Sequence, residues 1–420
     1  LLSQLRRYGG LTALESGNGD HENGRWSIIA AGPIKSIQIV NSYKSVEIIE
    51  QLDELLSVIP KIDHELPFIG GVLGHISYDL GIPDLCSPLN LPCFSEQPKL
   101  FAGLYPWAFV IDHQKKQTNL VYWHGLSPID YEELIAFTAK KPSVSPFSLT
   151  QPFKSRWDKQ DYATKIQQIH RYINNGDCYQ VNLAQCFKGS FKGDTLDAYD
   201  RLKYTAQVPY ACYFEFNDMQ FASMSPEMFI SGSKGKLITK PIKGTQPRGS
   251  NPKTDDLNKA ALKGSSKDKA ENLMIVDLLR NDLSKNATQV DVPRLFDVES
   301  FTTVHHLVST ITATINDKVS PFKLLLDAFP GGSITGAPKK RAMEIIGELE
   351  NIPRSFYCGS SFFCSANDNF SSNILIRSFL FQNEEVMTWS GGGIIADSKW
   401  DLEYKESLDK ISRLMECLKR

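Results

Sequence analysis

The chain has 420 residues, of which 46 are Lys or Arg and 48 are Asp or Glu, so its formal net charge is only −2. This balance argues against nucleic acid or an anionic membrane surface as a partner. No apolar run approaches the roughly 18 residues of a membrane span, and the first residues lack a signal-peptide pattern. The eight cysteines form no Cys-x-x-Cys pair and have no zinc-like spacing to histidine, which is typical of reduced thiols. We therefore expect a globular, cytoplasmic protein.

One stretch, Lys141 to Phe153, is rich in proline and serine and is typical of a connecting segment. It predicts an N-terminal region, residues 1–150, and a larger region, residues 151–420. No repeat or low-complexity tract divides the chain after about residue 155. We expect the two regions to be intertwined in one globule.

Periodicity in the larger region predicts unevenly interleaved strands and helices. The predicted helices are Asp161 to Asn174, Lys267 to Arg280, Pro338 to Leu349 and Lys399 to Leu418. The predicted strands are Ala211 to Phe216, Phe221 to Met224, Val304 to Ile315, Ile374 to Phe381 and Val386 to Trp389. Short turns between neighbouring strands favour antiparallel pairing, so the sequence predicts an α+β fold with helices outside the sheets.

Lys243 lies in the segment Pro-Ile-Lys-Gly-Thr, Pro241 to Thr245, directly after a strand-like run. The glycine that follows it allows the main chain to approach a ligand closely. In a pocket, burial would lower the pKa of the amine and make Lys243 a nucleophile. The alternative is a surface lysine in a turn.

Carboxylates occupy unusual positions on two predicted helices. Glu271 lies on an almost wholly apolar helix, so it needs a cation, a hydrogen-bond donor or a metal, and an ion pair with Arg280 is the structural alternative. Glu403 and Glu406 share one face of the last helix. Either they form a solvated face, or the two helices together offer oxygen ligands for Mg²⁺.

Two glycine-rich segments complete the pattern. Pro330 to Lys339 leads into a helix with Pro338 in its first turn, and free N–H groups there suit a carboxylate, although a capped turn is the alternative. It is not a P-loop, because the Gly-Lys-Ser/Thr ending is absent. Ser390 to Ile394 contains three glycines after a strand, which is typical of a ligand-approaching backbone or of a hairpin turn.

In this order, the segments resemble the chorismate-utilising enzymes, most closely the branch that forms 4-amino-4-deoxychorismate. The matching stretches are Asn175 to Gln185, Ser225 to Phe229, Pro241 to Thr245, Lys267 to Asp277, Val304 to Ser309, Pro330 to Arg341, Ile374 to Arg377 and Ser390 to Ser398, with Phe68 to Tyr78 nearer the N-terminus. The resemblance implies two large, mainly antiparallel sheets packed together with helices outside, and a chorismate pocket between them.

The resemblance also implies roles for individual residues. Lys243 is expected to attack C2 of chorismate, and Glu227 to protonate the leaving C4 hydroxyl. Mg²⁺ is expected on Glu271 and Glu406, with Glu403 nearby. The expected substrate-binding residues are Thr335, Tyr357, Arg377, Gly391, Gly393, Lys410 and His306.

Two positions distinguish branches of the family. Anthranilate synthases generally have Ala at the position of Lys243, and isochorismate and salicylate synthases have a water-activating Lys at the position of Gln180. This chain therefore resembles the branch that uses a lysine nucleophile and ammonia. It departs from the family pattern at Phe362 and Phe363, where Gly-Tyr is usual, and at Ser371, where Asp is common, and these changes bear on the pocket wall.

The sequence contains no Gly-x-Cys-x-Gly elbow of a glutaminase, so we expect a separate glutamine amidotransferase subunit as partner and ammonia donor. Ser16, Pro209 and Tyr210 resemble residues of a tryptophan pocket, which is compatible with an occupied, a regulatory or a structural role. The alternatives are anthranilate synthase component I and a non-catalytic chorismate- or tryptophan-binding subunit.

Overall fold

The computed structural model describes residues 1–17, 24–40, 44–82, 97–136, 144–301 and 304–419. Within these ranges the chain forms two antiparallel sheets, of 11 and 10 strands, with helices outside them. The helices are α1 Leu2–Leu5, α2 Ser45–Ser57, α3 Tyr131–Ala136, α4 Lys159–Asn174, α5 Thr195–Ala206, α6 Pro252–Gly264, α7 Ser266–Ser284, α8 Pro321–Ala328, α9 Lys339–Glu350, α10 Trp400–Asp409 and α11 Ser412–Cys417. No helix in these ranges has both the length and the apolar character needed to cross a membrane.

The strands of the N-terminal part are β1 Thr12–Glu15, β2 Trp26–Ala30, β3 Lys35–Ile39, β4 Gly71–Ile76, β5 Leu100–Tyr105, β6 Trp107–Asp112 and β7 Gln117–Tyr122. They are followed by β8 Ser148–Ser155, β9 Gln180–Lys192, β10 Tyr210–Phe216, β11 Met219–Ser225, β12 Met228–Ser233, β13 Lys236–Thr239 and β14 Ile242–Pro247. The last strands are β15 Ala287–Ser300, β16 Val304–Ile315, β17 Gly336–Ala337, β18 Ser360–Ser365, β19 Phe370–Asn373, β20 Ser378–Gln382 and β21 Glu385–Ile394.

The first sheet has the strand order β17-β9-β21-β20-β11-β10-β1-β2-β6-β7, and β8 also pairs with β9. The second sheet has the order β14-β16-β13-β12-β19-β18-β4-β5-β3, and β15 also pairs with β16. Strands from the N-terminal part extend both sheets. Each sheet therefore contains strands from both parts of the chain.

The largest core cluster contains buried side chains from both sheets, which therefore pack face to face. His75 of β4 stacks on Phe214 of β10 with ring centroids 3.7 Å apart. The His75 ring also lies within hydrogen-bonding distance of Thr12 (3.2 Å) and Ser361 (2.7 Å). Burial lowers the pKa of His75 to about 3, so this histidine joins the sheets as a neutral group.

Helices cover the outer face of the first sheet beside β9 and β21. Tyr162 and Ile166 of α4 and Ile345 of α9 form a buried cluster with Val181 and Ile394. The apolar residues of α4 recur at helical spacing, and Asp158 caps its N-terminus by accepting a hydrogen bond from the Asp161 N–H. These helices hold the two strands that carry part of the site.

The two-sheet α+β fold is as predicted, and most predicted elements are present. The last helix is an exception, because α10 ends at Asp409 and Ile411 leaves the helical conformation with φ −121°. The break places the Ile411 side chain in a buried cluster. The strand predicted from Ile374 begins only at Ser378, because Arg377 has a left-handed backbone with φ +53°.

The predicted connecting segment, Lys141 to Phe153, is also partly wrong. Residues 148–153 belong to β8, which pairs with β9, and residues 141–143 lie outside the described residues. Cys86 and Cys93 are likewise outside the described ranges. Five of the remaining cysteines, Cys178, Cys186, Cys212, Cys358 and Cys364, are buried free thiols.

An ion pair buried beneath the junction of the sheets joins three segments of the chain. Arg354 donates to both carboxylate oxygens of Glu350, at 2.8 and 2.6 Å, and each side chain is only 1% exposed. The Arg354 guanidinium also donates to the backbone oxygens of Ile334 (2.9 Å) and Asn182 (2.8 Å). Glu350 accepts from the N–H of Ala184 at 2.8 Å. Each of the three guanidinium nitrogens therefore meets an acceptor, as a buried charge requires.

Replacing Arg354 with Leu should destabilise the fold by about 3–5 kcal/mol, because Glu350 would remain buried without its partner. Urea unfolding followed by tryptophan fluorescence would measure the change. Lys61→Ala is the control, since Lys61 and Asp368 form an exposed pair, for which the expected cost is below about 1 kcal/mol. A loss for Arg354→Leu no larger than that of the control would contradict the assignment.

Candidate active site

A cavity of about 670 Å³ lies between β14 of the second sheet and β21 of the first, bordered by α7 and α10. Its lining includes eleven of the twelve residues predicted to act on chorismate or Mg²⁺: Glu227, Lys243, Glu271, His306, Tyr357, Arg377, Gly391, Gly393, Glu403, Glu406 and Lys410. Residues separated by up to 183 positions in sequence thus surround one space. The individual roles expected for them remain predictions.

Lys243 is directed into the cavity by an irregularity in β14. The pairing of β14 with β16 shifts register between Lys243 and Thr245, and Gly244 in the bulge has φ +79°. A side chain at Gly244 would also meet Asp268, since its Cβ would lie 2.8 Å from that carboxyl carbon. The glycine after the lysine is therefore required by both conformation and space.

Burial lowers the pKa of the Lys243 amine, and the negative charges of Glu271 and Glu227 oppose this shift. The Lys243 ammonium group donates a hydrogen bond to the backbone oxygen of Ser333 at 3.4 Å. A lowered pKa increases the fraction of free amine at neutral pH. Lys243 thus lies in an environment that favours its nucleophilic form.

Glu227 is 7% exposed, and burial raises the pKa of its carboxyl group. A hydrogen bond with the Ser333 side chain, the charge of Lys243 and the Ile242 N–H act in the opposite direction. A raised pKa favours the protonated carboxyl, the form that a general acid requires. Ser333 contacts both Glu227 and Lys243, so this residue fixes the two groups relative to each other.

Three carboxylates enter the cavity from α7 and α10. Glu271 of α7 is 12% exposed, and Lys267, one turn earlier on α7, has its ammonium 3.9 Å from Glu271 and 3.5 Å from Glu403. Glu403 also accepts from the Ser398 hydroxyl at 2.7 Å. The alternative prediction, an ion pair between Glu271 and Arg280, is wrong, because the Arg280 guanidinium lies 3.7 Å from Asp277.

The charges of these groups are set by their neighbours. Burial raises the pKa of Glu271, and the cations Lys243 and Lys267 oppose the rise. For Glu406, burial alone would raise the pKa, but Lys410 at 2.8 Å and the other lysines outweigh it and lower the value. Burial alone would lower the pKa of Lys267. The surrounding glutamates outweigh this effect, so the pKa is raised.

This donor set fits Mg²⁺, which binds through one or two carboxylates while keeping waters and ligand oxygens. The Lys267 ammonium between Glu271 and Glu403 shows that the carboxylates favour a positive charge at this place. Within the described residues, no three His, Cys, Asp or Glu side chains are grouped as a metal site by themselves. Waters and substrate oxygens would complete the coordination of a bound ion.

The three glycines lie inside β21 and not in a hairpin turn. Gly391, Gly392 and Gly393 pair with Ala184, Leu183 and Asn182 of β9. A Cβ on Gly392 would lie 3.5 Å from both a Glu403 oxygen and the Lys410 amine. The strand is therefore free of side chains where α10 presents its charged groups.

The remaining polar groups come from several elements. Arg377 has φ +53°, a strained conformation for a residue other than glycine, and burial lowers its pKa. Tyr357 stacks on Trp389 at 5.9 Å, and the His306 ring lies 2.9 Å from the Thr245 hydroxyl. These groups suit a ring-shaped anion, since Arg377 supplies charge and Tyr357 supplies an aromatic surface.

The Pro330 to Lys339 segment contributes less than its sequence indicated. Only Ser333 and Ile334 of this segment are among the residues that line the cavity. Thr335 is fully buried, and its hydroxyl donates to the Gly331 oxygen at 3.0 Å. Pro338 precedes α9, which begins at Lys339, and is not in its first turn. The predicted contact of Thr335 with substrate therefore has no support in this geometry.

Sequence analysis missed several residues that line the cavity. Lys267 has a half-exposed side chain and is indistinguishable in sequence from a surface lysine. Asn182 and Trp389 are buried, with Asn182 Oδ1 and Trp389 Nε1 lacking hydrogen-bond partners among the described residues. Asn182 lies inside the matching stretch Asn175 to Gln185 and Trp389 directly precedes Ser390 to Ser398, but the resemblance assigned neither residue a role.

The departures from the family pattern and the predicted tryptophan pocket lie elsewhere. Phe362, Phe363 and Ser371 are on β18 and β19 and are not among the cavity residues, so the pocket wall is not formed by them. Ser16 follows β1, and the Gly17 N–H donates to the Val208 oxygen at 2.8 Å. This pairing brings Ser16 beside Pro209 and Tyr210, at the start of β10.

Comparisons with known proteins agree with this geometry. Residues 12–416 match the family of chorismate binding enzymes. Aminodeoxychorismate synthase component 1 of Salmonella typhimurium is 39% identical over 96% of this chain and 92% of its own length, and that of Escherichia coli is 38% identical over 97% and 93%. The crystal structure of anthranilate synthase component I from Streptococcus pneumoniae has a TM-score of 0.82 and 27% identity over 94% of this chain and 93% of that chain.

The family match covers nearly the whole chain, and the cavity contains eleven of the residues predicted from the family's motifs. This chain belongs to the chorismate-binding enzymes.

Proposed function

We propose that this chain converts chorismate and ammonia into 4-amino-4-deoxychorismate, a step towards 4-aminobenzoate and folate. The observation that carries the proposal is the position of Lys243, whose amine enters the cavity with a lowered pKa and lies beside a buried acid, Glu227. The relatives of 38–39% identity that bear the name aminodeoxychorismate synthase component 1 support the same activity.

In the proposed first step, the Lys243 nitrogen forms a bond to C2 of chorismate while the bond between C4 and its hydroxyl breaks. Glu227 gives its proton to the departing hydroxyl, which leaves as water. Ammonia then forms a bond to C4, and the bond between C2 and Lys243 breaks. The new ammonium returns a proton to Glu227. The net reaction consumes one ammonia and releases one water.

The carboxylates of chorismate require cations and donors in the cavity. Arg377 and Lys410 supply positive charge, and Gly391 and Gly393 leave the strand backbone accessible to the ligand. Mg²⁺ held by Glu271 and Glu406, with Glu403 beside them, would neutralise a substrate carboxylate when bound. His306 lies on the wall formed by β16, where it faces the ring in the family's arrangement.

Ammonia is proposed to come from a glutamine amidotransferase subunit. The names of the bacterial relatives number their counterpart as component 1, which indicates that those enzymes have a further component. A downstream lyase would then release 4-aminobenzoate in the cytoplasm. Tryptophan is proposed as a ligand of the site beside Ser16, Pro209 and Tyr210, at the junction of β1 and β10.

Anthranilate synthase component I is the second candidate, because that of Bacillus subtilis is 30% identical over 84% of this chain. Lys243 favours the first candidate, since the resemblance assigns Ala to that position in most anthranilate synthases. The two activities give different products from the same substrates. Product identity therefore decides between them.

The purified chain should form 4-amino-4-deoxychorismate from chorismate, Mg²⁺ and ammonium chloride, faster at higher pH because more free NH₃ is present. Mass spectrometry of the reaction mixture would identify the product. Glutamine should replace ammonium only after the amidotransferase subunit is added. Anthranilate as the product would support the second candidate, and glutamine use by the chain alone would refute the partner assignment.

Glu271→Gln and Glu406→Gln should each reduce turnover on the order of a hundredfold or more. Replacing a residue that only hydrogen-bonds to a metal ligand already reduces activity or metal affinity by about 10–100-fold, and these changes remove a ligand itself. Both changes keep the side-chain volume, so the thermal unfolding temperature in the absence of metal should change little. Isothermal titration with MgCl₂ should show weakened binding. Glu416→Gln on α11, outside the cavity, is the matched control. Full activity after chelation and dialysis would disprove the Mg²⁺ assignment.

A further inference from the structure

Asn182 has a fixed backbone and an unused side-chain acceptor. Its N–H donates to the Thr335 oxygen at 2.8 Å, and its own carbonyl accepts from Arg354 at 2.8 Å. The residue is 7% exposed, yet its Oδ1 has no hydrogen-bond partner among the described residues. Buried polar atoms are rarely left unpaired, so such an atom in a cavity wall points to a ligand or a water.

The acceptor belongs to the part of the cavity wall beside the glycine strand. Asn182 lies opposite Gly393 in the pairing of β9 with β21, and both residues line the cavity. Gln180, two positions earlier on the same face of β9, is fully buried, and neither atom of its amide has a partner within the described part of the chain. A Cβ on Gly393 would lie 2.6 Å from the Gln180 nitrogen, so the Gln180 amide packs directly against Gly393 and only glycine fits there.

This part of the wall is connected to the proposed reacting groups. The Thr335 oxygen that accepts from Asn182 is two residues from Ser333. Ser333 in turn accepts from Lys243 through its backbone oxygen and hydrogen-bonds Glu227 through its side chain. One short segment therefore positions Asn182, Lys243 and Glu227 together.

We propose that Asn182 Oδ1, with the Gln180 amide behind it, binds the ammonia that attacks the substrate. Ammonia has three N–H donors and one lone pair. A neutral carbonyl accepts one N–H and leaves the lone pair free for attack. Carboxylates instead favour ammonium, which has no lone pair, and a lysine would repel ammonium and activate water. Neutral amides are thus the side chains that suit ammonia. This inference rests on the proposed function.

The test compares Asn182→Ala and Asn182→Asp with the native chain at fixed pH, with chorismate saturating and ammonium chloride varied. Asn182→Ala removes the acceptor without adding volume and keeps both backbone hydrogen bonds. The KM for NH₃ should rise about five- to tenfold, as expected for one lost hydrogen bond. The KM for chorismate at saturating ammonium should change by less than about twofold. Asn182→Asp should retain ammonium in unreactive form and shift the pH dependence of kcat/KM for ammonia to higher pH.

Asn367→Ala is the matched control. Asn367 is buried to a similar extent, and its Oδ1 also lacks a partner in the described part of the chain, but it lies outside the cavity. Its KM for NH₃ should equal the native value.

The possible results separate the two claims. If the native chain makes 4-amino-4-deoxychorismate but Asn182→Ala leaves the KM for NH₃ unchanged, the ammonia site is wrong and the proposed function stands. An equal rise in the KM for both substrates would also overturn the ammonia site, because it would indicate a general disturbance of the cavity. If the native chain makes no amino product from ammonium, both claims fail.

Discussion

Burial of a lysine and a glutamic acid in one cavity is the constraint on which the proposed chemistry depends. Water would keep Lys243 protonated and Glu227 ionised, and these are the unreactive forms of a nucleophile and an acid. Removal from water disfavours both charges, so it raises the pKa of Glu227 and lowers that of Lys243. Each charge also stabilises the other, and this attraction limits both shifts. The site therefore works only if desolvation exceeds the attraction.

The fold maintains this balance by placing the two residues on different elements. Glu227 lies in the short link between β11 and β12, whereas Lys243 is in the bulge of β14. The Lys243 ammonium and the Glu227 carboxylate are not within ion-pair distance of each other, and Ser333 contacts both side chains. The buried pair of Arg354 and Glu350 anchors the segment that contains Ser333, through the Ile334 oxygen. A structural ion pair thus supports the geometry of the two reactive side chains.

Sequence patterns predicted the regular elements and the residues carried by short motifs, because those signals are local. Glu271 was identifiable as a carboxylate on an apolar helix, and Lys243 by the glycine that follows it. The break after Lys410 and the left-handed backbone of Arg377 were not predictable, since tertiary contacts override the local preference at both places. Lys267 and Asn182 were missed for a related reason. The role of each residue depends on neighbours that the fold brings from other strands and helices.

The most direct test of the account is to trap a chorismate adduct on Lys243. The native chain is incubated with chorismate and Mg²⁺ without ammonia, quenched at a series of pH values, and analysed by peptide mass spectrometry. The account predicts an adduct on Lys243 that forms already at neutral pH, well below the ordinary lysine pKa of 10.5, and disappears in Lys243→Arg, which keeps the charge but has no free amine. An unmodified Lys243, in a preparation that makes product once ammonium is added, would contradict the nucleophilic role.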